Sequence, residues 1–378
     1  MFNCYVCGCN ITKNNTYKEH IILNSLGGKL ISPSIICNSC APKFDPIDTA
    51  LSSQFNLYGL MLNIERDRGK NPPIKVKVTG TDNQISLDAG GKPVLISPII
   101  QEKSDGNISI TVRDKKGLRK ILNGLQRKFS FTEDIESIIN RANKSEEYLG
   151  KPVDINVEIG GEELFRAICK MIVSFYMQNG GSRQEILHLL PYILHGTNEA
   201  FVSYYYPDKE INTKSKISQI LHRLFIKAVA NEKVMYGYVE LFSTFKFLIL
   251  MSDNYTGKDF QHSYEFDVLN RNKVESSINI NLPKDIVIET VKNQKINLNN
   301  FHDAIQKLWL FIVEKQSNDC LNDIIQNSMK TAFEGVTEGE VVNNEDFYLL
   351  IETLSENLAK FLSSRNQGLE DYPDKNID

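Results

Sequence analysis

The sequence has no strong excess of charge of either sign and no long apolar run. Its 378 residues include 43 Lys and Arg against 47 Asp and Glu, which gives a formal net charge of −4. No global basic field attracts nucleic acid, so any such binding must come from local patches. The most apolar run, 245–251, is short and contains Lys246. Because a membrane-spanning helix needs about 20 apolar residues, we expect no contact with a membrane.

Cysteine is scarce beyond the start of the chain. Five of the seven cysteines lie in the first forty residues, and the other two, Cys169 and Cys320, are far apart. Such clustering is typical of metal ligation in a reducing compartment rather than of a disulfide framework. The first cysteine pair follows Met1 almost at once, which leaves no secretory signal, and we therefore expect a cytoplasmic protein.

Four of these cysteines form two Cys-x-x-Cys pairs, Cys4 with Cys7 and Cys37 with Cys40. Each pair puts two thiolates on one tight turn, and two such turns make the four-sulfur tetrahedron that Zn²⁺ prefers. We predict one structural zinc ion there, with Cys9 as a spare thiol. A closed site has no open position, so this zinc should not be catalytic. From the cysteines alone, a zinc ribbon that only supports a fold or an interface is an equal alternative.

An acid and a histidine stand side by side between the two pairs. Glu19 and His20 precede two isoleucines, and Gly27-Gly28 follows as a turn signal. The carboxylate could hold a divalent cation while the imidazole takes a proton from water. The turn lets the chain return as a strand over 30–36, and we expect a short helix from Pro42 or Pro46. Two strands and a helix around one hard cation form a compact nuclease site.

Five short motifs follow one another in this stretch. They are Cys-x-x-Cys at 4–7, Glu-His-Ile-Ile at 19–22, Leu-Gly-Gly at 26–28, Ile-Cys-x-x-Cys at 36–40 and Ile-Asp-x-x-Leu at 47–51. In order and spacing, residues 1 to about 52 resemble the HNH endonucleases with a zinc-ribbon insert. The resemblance implies a ββα-metal fold, one catalytic Mg²⁺ or Mn²⁺ ion and cleavage of phosphodiester bonds. It also implies that His20 is the general base and Glu19 the metal-binding acid.

One position departs from the family pattern. Directly after the second cysteine pair the family carries Asn or His as a ligand of the catalytic metal, where this chain has Ala41, whose methyl group cannot bind a cation. Asp45 or Asp48 could supply the missing oxygen. The sequence could instead be a deliberately inactivated variant, which we rank slightly first, or a degenerate module that only binds. The family also carries an Asn in the middle of its motif. In this chain the corresponding region offers only Ser32 or Ser34.

The rest of the chain divides into segments of different pattern. We predict a nuclease module over 1–64, a charged linker ending in Pro72-Pro73, a mixed α/β targeting or sensor region over 72–290, and a helical region over 291–378. The fold class is α+β: a ββα-metal module with structural zinc, a larger region with antiparallel sheets, and a helical C-terminus.

Periodicity predicts the main elements of the larger region. Short alternating strands are expected within 74–112, and the strands of a second sheet over 202–250. Helices are expected over 162–177, 182–194, 300–316, 318–333 and 344–364. Within the first of these helices, Glu163, Arg166 and Lys170 have helical spacing. We expect them to form ion pairs with one another along the helix.

A basic stretch follows the first group of strands. Six of its residues are candidates for phosphate contacts, namely Arg113, Lys116, Arg119, Lys120, Arg127 and Lys128, with Asp114 as the only acid nearby. A solvated surface helix is the alternative. We expect DNA rather than RNA as the partner. The sequence is also compatible with a homo-oligomer.

The leading hypothesis is therefore a metal-dependent HNH endonuclease that cuts nucleic acid, with a larger region for targeting or regulation. A role in bacterial antiviral defence or restriction is a further hypothesis. The competing hypothesis is a non-catalytic nucleic-acid-binding or regulatory protein that uses the cysteine module as a zinc-ribbon scaffold.

Overall fold

The computed structural model describes residues 2–370 except 83, 103, 105–106, 128–132, 144–148, 150, 198, 209–217, 276–277, 295 and 338. The strands are β1 Glu19–His20, β2 Ile31–Ser32, β3 Ile74–Val78, β4 Gln84–Asp88, β5 Lys92–Leu95, β6 Ile99–Glu102, β7 Ile108–Thr111, β8 Val153–Asp154, β9 Val202–Tyr204, β10 Leu221–Val229, β11 Val234–Leu241, β12 Phe245–Ser252, β13 Phe260–Asp267 and β14 Asn272–Val274. The helices are α1 Asp45–Met61, α2 Lys115–Gln126, α3 Ile135–Arg141, α4 Glu162–Gln178, α5 Leu190–His195, α6 Lys284–Asn293, α7 Leu298–Ala332 and α8 Asn344–Glu370.

The chain forms two compact units. The first comprises Met1–Pro72 with Val157–Glu314, and the second Pro73–Asn156 with Lys315–Asp378. The predicted α+β class with antiparallel sheets and a helical C-terminal region is confirmed. The division into 1–64, 72–290 and 291–378 concerns segments along the chain and stays a prediction.

The first unit is built on a six-stranded antiparallel sheet in the order β14-β13-β10-β11-β12-β9. Along β10, Leu224 and Ile226 pack with α4 and the N-terminal module on one face, whereas Phe225 packs with Val287 and Val291 of α6 on the other. Because both faces are covered, β10 to β12 read as nearly continuous apolar runs instead of alternating ones. The strands predicted over 202–250 are confirmed.

One ionic group lies within this sheet. The strand register sets Arg223 of β10 opposite Glu240 of β11 and Glu265 of β13. All three are buried; the guanidinium contacts Glu240 and donates to Glu265 at 2.9 Å. Tyr238 donates its hydroxyl to Glu240 at 2.6 Å. A buried charge needs such compensation, so the register that opposes these residues is strongly favoured over a slipped one.

The N-terminal module has the predicted strand, strand and helix. In the antiparallel pair β1 and β2, Glu19 lies opposite Ser32. A 3₁₀ turn over Ala41–Phe44 leads into α1, which is longer than the predicted short helix. Gly27 has a φ of +82°, and a Cβ on Gly28 would lie 2.1 Å from the carbonyl oxygen of Ile22. Only glycine fits this turn, which explains the Gly-Gly motif.

Polar contacts fasten the module to the rest of its unit. The His222 ring of β10 donates from Nε2 to the Leu26 carbonyl at 2.9 Å and accepts at Nδ1 from the Phe242 amide at 3.1 Å. Arg183 donates from Nε to the Tyr5 carbonyl at 2.9 Å. The module therefore shares its polar contacts with strands and helices more than a hundred residues away in sequence.

Aromatic packing covers the apolar side of α1. The Phe55 ring stacks on Phe242 with centroids 6.0 Å apart, and meets Phe245 edge to face at 4.8 Å. Tyr58 meets the same Phe245 ring at 4.9 Å. These residues belong to one apolar core that α4 and the large sheet also line. Surface buried against the sheet therefore contributes to the stability of the module.

The second unit contains the sheet β5-β4-β3-β8 and the separate hairpin β6-β7. Helices α2 and α3 pack together through the buried side chains Leu118, Leu122 and Ile139. The strands predicted within 74–112 are thus confirmed, although they form two sheets rather than one meander.

Two helix predictions need correction. The segment 182–194 is not one helix but a 3₁₀ stretch, Arg183–Leu189, followed by α5. Pro191 in the first turn of α5 lacks an amide hydrogen, which favours a helix that begins there. The segments 300–316 and 318–333 form one helix, α7, because neither glycine nor proline separates them. Among the described residues, none of these helices is long and apolar enough to cross a membrane.

The free energy of unfolding should change with pH because the buried contacts of His222 require its neutral form. Burial lowers the pKa of His222 to about 4, from an ordinary value of 6.5. The unfolded chain therefore takes up this proton first, so the stabilisation is complete above pH 6.5 and is lost as the pH falls towards 4. At about pH 5 this loss amounts to about 2 kcal/mol.

The variant His222→Gln keeps one donor and one acceptor but does not titrate. Its unfolding free energy, measured with urea at pH 7.5 and pH 5, should therefore fall less between these values than that of the unaltered chain. An equal fall in both proteins would contradict the assignment to His222.

Candidate active site

The four predicted zinc ligands come together in the structure. The Sγ atoms of Cys4, Cys7, Cys37 and Cys40 all lie within 4.8 Å of one another. The Cys7 and Cys37 sulfurs are 3.8 Å apart, which is the edge of a tetrahedron with metal–sulfur distances of about 2.3 Å. The number, chemistry and spacing of these donors fit a closed zinc site. Cys9 lies outside the group and is exposed.

An open cleft of about 470 Å³ lies over β1 and the first turns of α1. Polar side chains dominate its lining, which consists of Tyr17, Glu19, His20, Leu23, Asn24, Ser25, Asp45, Asp48, Thr49 and Ser52. The cleft therefore gathers the predicted acid, base and both candidate aspartates. Ala41 is not part of this lining.

His20 ends β1 and is half-buried. Its Nε2 atom is buried and has no hydrogen-bond partner among the described residues. Burial lowers the pKa of His20; the positive charges of Arg68 and Lys170 act in the same direction, and Asp67 acts against them. The ring is therefore neutral near pH 7, and a neutral imidazole with a free nitrogen can accept a proton.

Glu19 does not face the cleft as a free acid. Its side chain is buried and contacts the ammonium of Lys170, which comes from α4. The same ammonium donates to Oδ2 and Oδ1 of Asp48 at 2.8 and 3.1 Å. It also lies 5.4 Å from the centroid of the Phe44 ring. One buried cation thus holds two of the predicted metal ligands.

The carboxylates around Lys170 keep its ammonium ionised. Burial by itself lowers the pKa of Lys170, but the carboxylates of Asp48 and Glu19 outweigh it, and the net pKa is raised. Burial raises the pKa of Glu19, and Lys170 acts against that rise. The ammonium therefore stays charged throughout the physiological range, as its carboxylate partners require.

Sequence reasoning missed Lys170 as a residue of the site. The ion pairs expected on α4 do not include it, because it is 2% exposed and points at the module. Arg166 instead contacts Glu162 at 3.7 Å and donates to the Leu194 carbonyl at 2.7 Å. A signal was present in the sequence, since Lys170 interrupts the otherwise apolar run 167–173.

The structure also gives Ala41 a different environment from the one expected. Ala41 is 6% exposed, packs in the core of the module and donates its amide to the Cys37 carbonyl at 3.1 Å. Asp45 and Asp48, on the first turn of α1, line the cleft instead. Besides the cysteine cage, no three acid, histidine or cysteine side chains of the described residues converge closely enough to hold a metal ion.

A cation lies close enough to the cleft for its charge to act on His20. Arg68 is exposed, and its loop is fixed by Asn24, which donates to the Arg68 carbonyl at 3.3 Å and accepts the Asp67 amide at 2.8 Å. Lys29 and Arg271 both pair with Asp67. The guanidinium of Arg68 has no ion-pair partner within the described part of the chain.

The basic stretch of the second unit is partly neutralised. Arg113 bonds Asp88 at 2.7 Å, and Arg119 donates twice to Glu136, each time at 2.8 Å. Three candidates, Lys116, Lys120 and Arg127, are exposed without an ion-pair partner among the residues that the structure describes. Lys128 lies outside the described residues. The local positive field is weaker than the sequence suggested.

Comparison with known proteins adds one match. Residues 4–56 match the family model described as HNH endonuclease. No curated protein and no solved structure matches the chain. The match spans the cysteine cage, both strands of the module and most of α1. The resemblance found in the sequence is thereby confirmed for this part of the chain, which is similar to HNH endonucleases.

Proposed function

We propose that this protein hydrolyses phosphodiester bonds of nucleic acid in the N-terminal cleft, with His20 as the general base. The observation that carries the proposal is the state of His20. Its neutral ring has a nitrogen without a partner among the described residues, and it borders an open cleft in a ββα frame. The family match over this frame supports nuclease activity in general.

In this proposal the chain's own residues handle one proton and one phosphate. The neutral imidazole of His20 takes a proton from water as the water oxygen bonds to phosphorus. The bond between phosphorus and the leaving 3′ oxygen breaks, and that oxygen takes a proton from solvent. Arg68, the exposed cation whose charge acts on His20, holds the negatively charged phosphate. The cysteine cage, with zinc bound, fixes the chain on both sides of β1.

The expected catalytic Mg²⁺ or Mn²⁺ ion fits the cleft less well than zinc fits the cage. Carboxylate oxygens are the right chemistry for either ion. However, Lys170 holds Glu19 and Asp48, and Ala41 offers no ligand. In this arrangement the donor set does not fit a divalent ion, and no step of the proposal passes through one.

The substrate is proposed to be DNA rather than RNA, with Lys116, Lys120 and Arg127 as additional phosphate contacts. A cytoplasmic location and a role in bacterial defence or restriction stay hypotheses. A second candidate function is binding of nucleic acid without cleavage. It is favoured by one observation, the neutralisation of Glu19 by Lys170.

Removal of the proposed base tests the leading function. His20→Ala should reduce nicking of plasmid DNA by at least about 100-fold, because a positioned general base contributes about 10²–10⁴-fold. The matched control is His262→Ala, an exposed histidine on β13 outside the cleft. If the unaltered chain binds DNA and RNA but cuts neither, the binding function is the correct one.

The question of deliberate inactivation depends on Ala41. Ala41→Asn should destabilise the module by about 1–3 kcal/mol, because an amide would be buried in an apolar core. It should not raise nuclease activity, since position 41 does not line the cleft. Ala41→His, assayed by nicking and thermal unfolding, provides the second case. Strong metal-dependent cleavage in either variant would instead identify the sequence as an inactivated one.

The cysteine cage should hold one zinc ion per chain. Cys37→Ser should lose this zinc and lower the unfolding temperature, because the metal closes the module. Cys9→Ser is the matched control, as Cys9 lies outside the group, and its zinc content should be unchanged. Metal content is measured by elemental analysis of the purified proteins. Equal zinc content in all three proteins would disprove the assignment of the ligands.

A further inference from the structure

We propose that Lys170 is the resident cation of the cleft and competes with divalent cations for the carboxylates of Glu19 and Asp48. The inference rests on the cleft of the proposed function but not on any cleavage by it. It names a residue of α4, beyond the span of the family match, as the group that governs whether the cleft takes a metal ion.

The Lys170 ammonium directs its hydrogen-bond donors at the two acids. A lysine ammonium has three hydrogens. Two of its contacts go to the oxygens of Asp48, at 2.8 and 3.1 Å, and the third goes to Glu19. Lys170 is 2% exposed, and the Phe44 ring lies beside its ammonium. All of its bonding capacity is therefore directed at the two acids that would otherwise bind a metal ion.

A metal ion would compete with the ammonium for the carboxylate oxygens of Glu19 and Asp48. A divalent ion at Glu19 and Asp48 would need the oxygens that now face the ammonium. Two like charges on the same oxygens repel each other strongly in a buried site. Occupancy by one cation therefore excludes the other unless the lysine side chain withdraws. Withdrawal is opposed by the apolar residues on both sides of Lys170 in α4, which hold the helix against the sheet.

Lys170 and its two acids differ from an ordinary buried ion pair in their position. Arg223 also lies between two buried acids, yet neither Glu240 nor Glu265 lines the cleft. Glu19 and Asp48 do line it.

The test is a Mn²⁺ titration of the zinc-loaded chain, followed by electron paramagnetic resonance of the free ion. The unaltered chain should bind Mn²⁺ weakly, and Lys170→Met should bind it at least about tenfold more tightly, because a charge at this distance shifts such equilibria by one to three powers of ten. Lys170→Arg keeps the charge and should stay weak. In Lys170→Met combined with Glu19→Gln, the added affinity should disappear.

Lys246→Met is the matched control, since Lys246 lies on β12 beside the Tyr206 ring and away from the cleft. Its Mn²⁺ affinity should equal that of the unaltered chain. Tight Mn²⁺ binding by the unaltered chain, unchanged in Lys170→Met, would overturn the proposal. Zinc content and thermal unfolding report whether each variant is folded.

If Lys170→Met does not fold, the unaltered chain and Glu19→Gln decide the question. Equally weak Mn²⁺ binding in both supports the proposal, since Lys170 already occupies Glu19. A tight site that Glu19→Gln removes overturns it. No nucleic acid is present in these titrations, so their result is independent of whether His20 catalyses cleavage.

Discussion

A charge that is removed from water must be matched by opposite charge, and in this protein that requirement joins the N-terminal module to α4. The Lys170 ammonium could not be buried without Glu19 and Asp48, and those acids could not be so enclosed without the ammonium. Each partner therefore fixes the others. The position of β1 relative to α1, and with it the shape of the cleft, depends on a helix about 150 residues further along the chain.

Other contacts act in the same direction. Arg183 holds the first cysteine turn through the Tyr5 carbonyl, and His222 holds the glycine turn through Leu26. Phe55 presses α1 onto the sheet. The cysteine cage brings the two ends of the module together, whereas these contacts fix the module to its surroundings. The cysteine sulfurs thus hold the module together locally, whereas charge pairs and aromatic packing attach it to distant parts of the chain. The two sets of contacts are separate, and a defect in either would disturb the cleft.

Much of this site is legible in the sequence because its parts are local. Two residues between two cysteines already place both sulfurs on one turn, and a Glu-His pair before two isoleucines marks a strand that ends at a cleft. The large sheet was also predictable, since its strands are long apolar runs. Lys170 was missed, because its helical spacing from Glu163 and Arg166 suggested pairing along the helix, although its place in an apolar run indicated burial. The environment of Ala41 was missed for a similar reason: a family position predicts a ligand, but only packing shows which side chains of the first turn reach the cleft.

The shared core has a consequence for moving this module into another protein. A cassette that folds by itself can be spliced into any permissive loop, but Phe55 and Tyr58 of this module bury their rings against Phe245 of the large sheet. Transplanted without that sheet, they would expose apolar surface, and Glu19 would lose its counter-charge. In this protein the module and its supporting scaffold therefore depend on each other, and a fragment without the sheet would expose apolar surface and fold poorly.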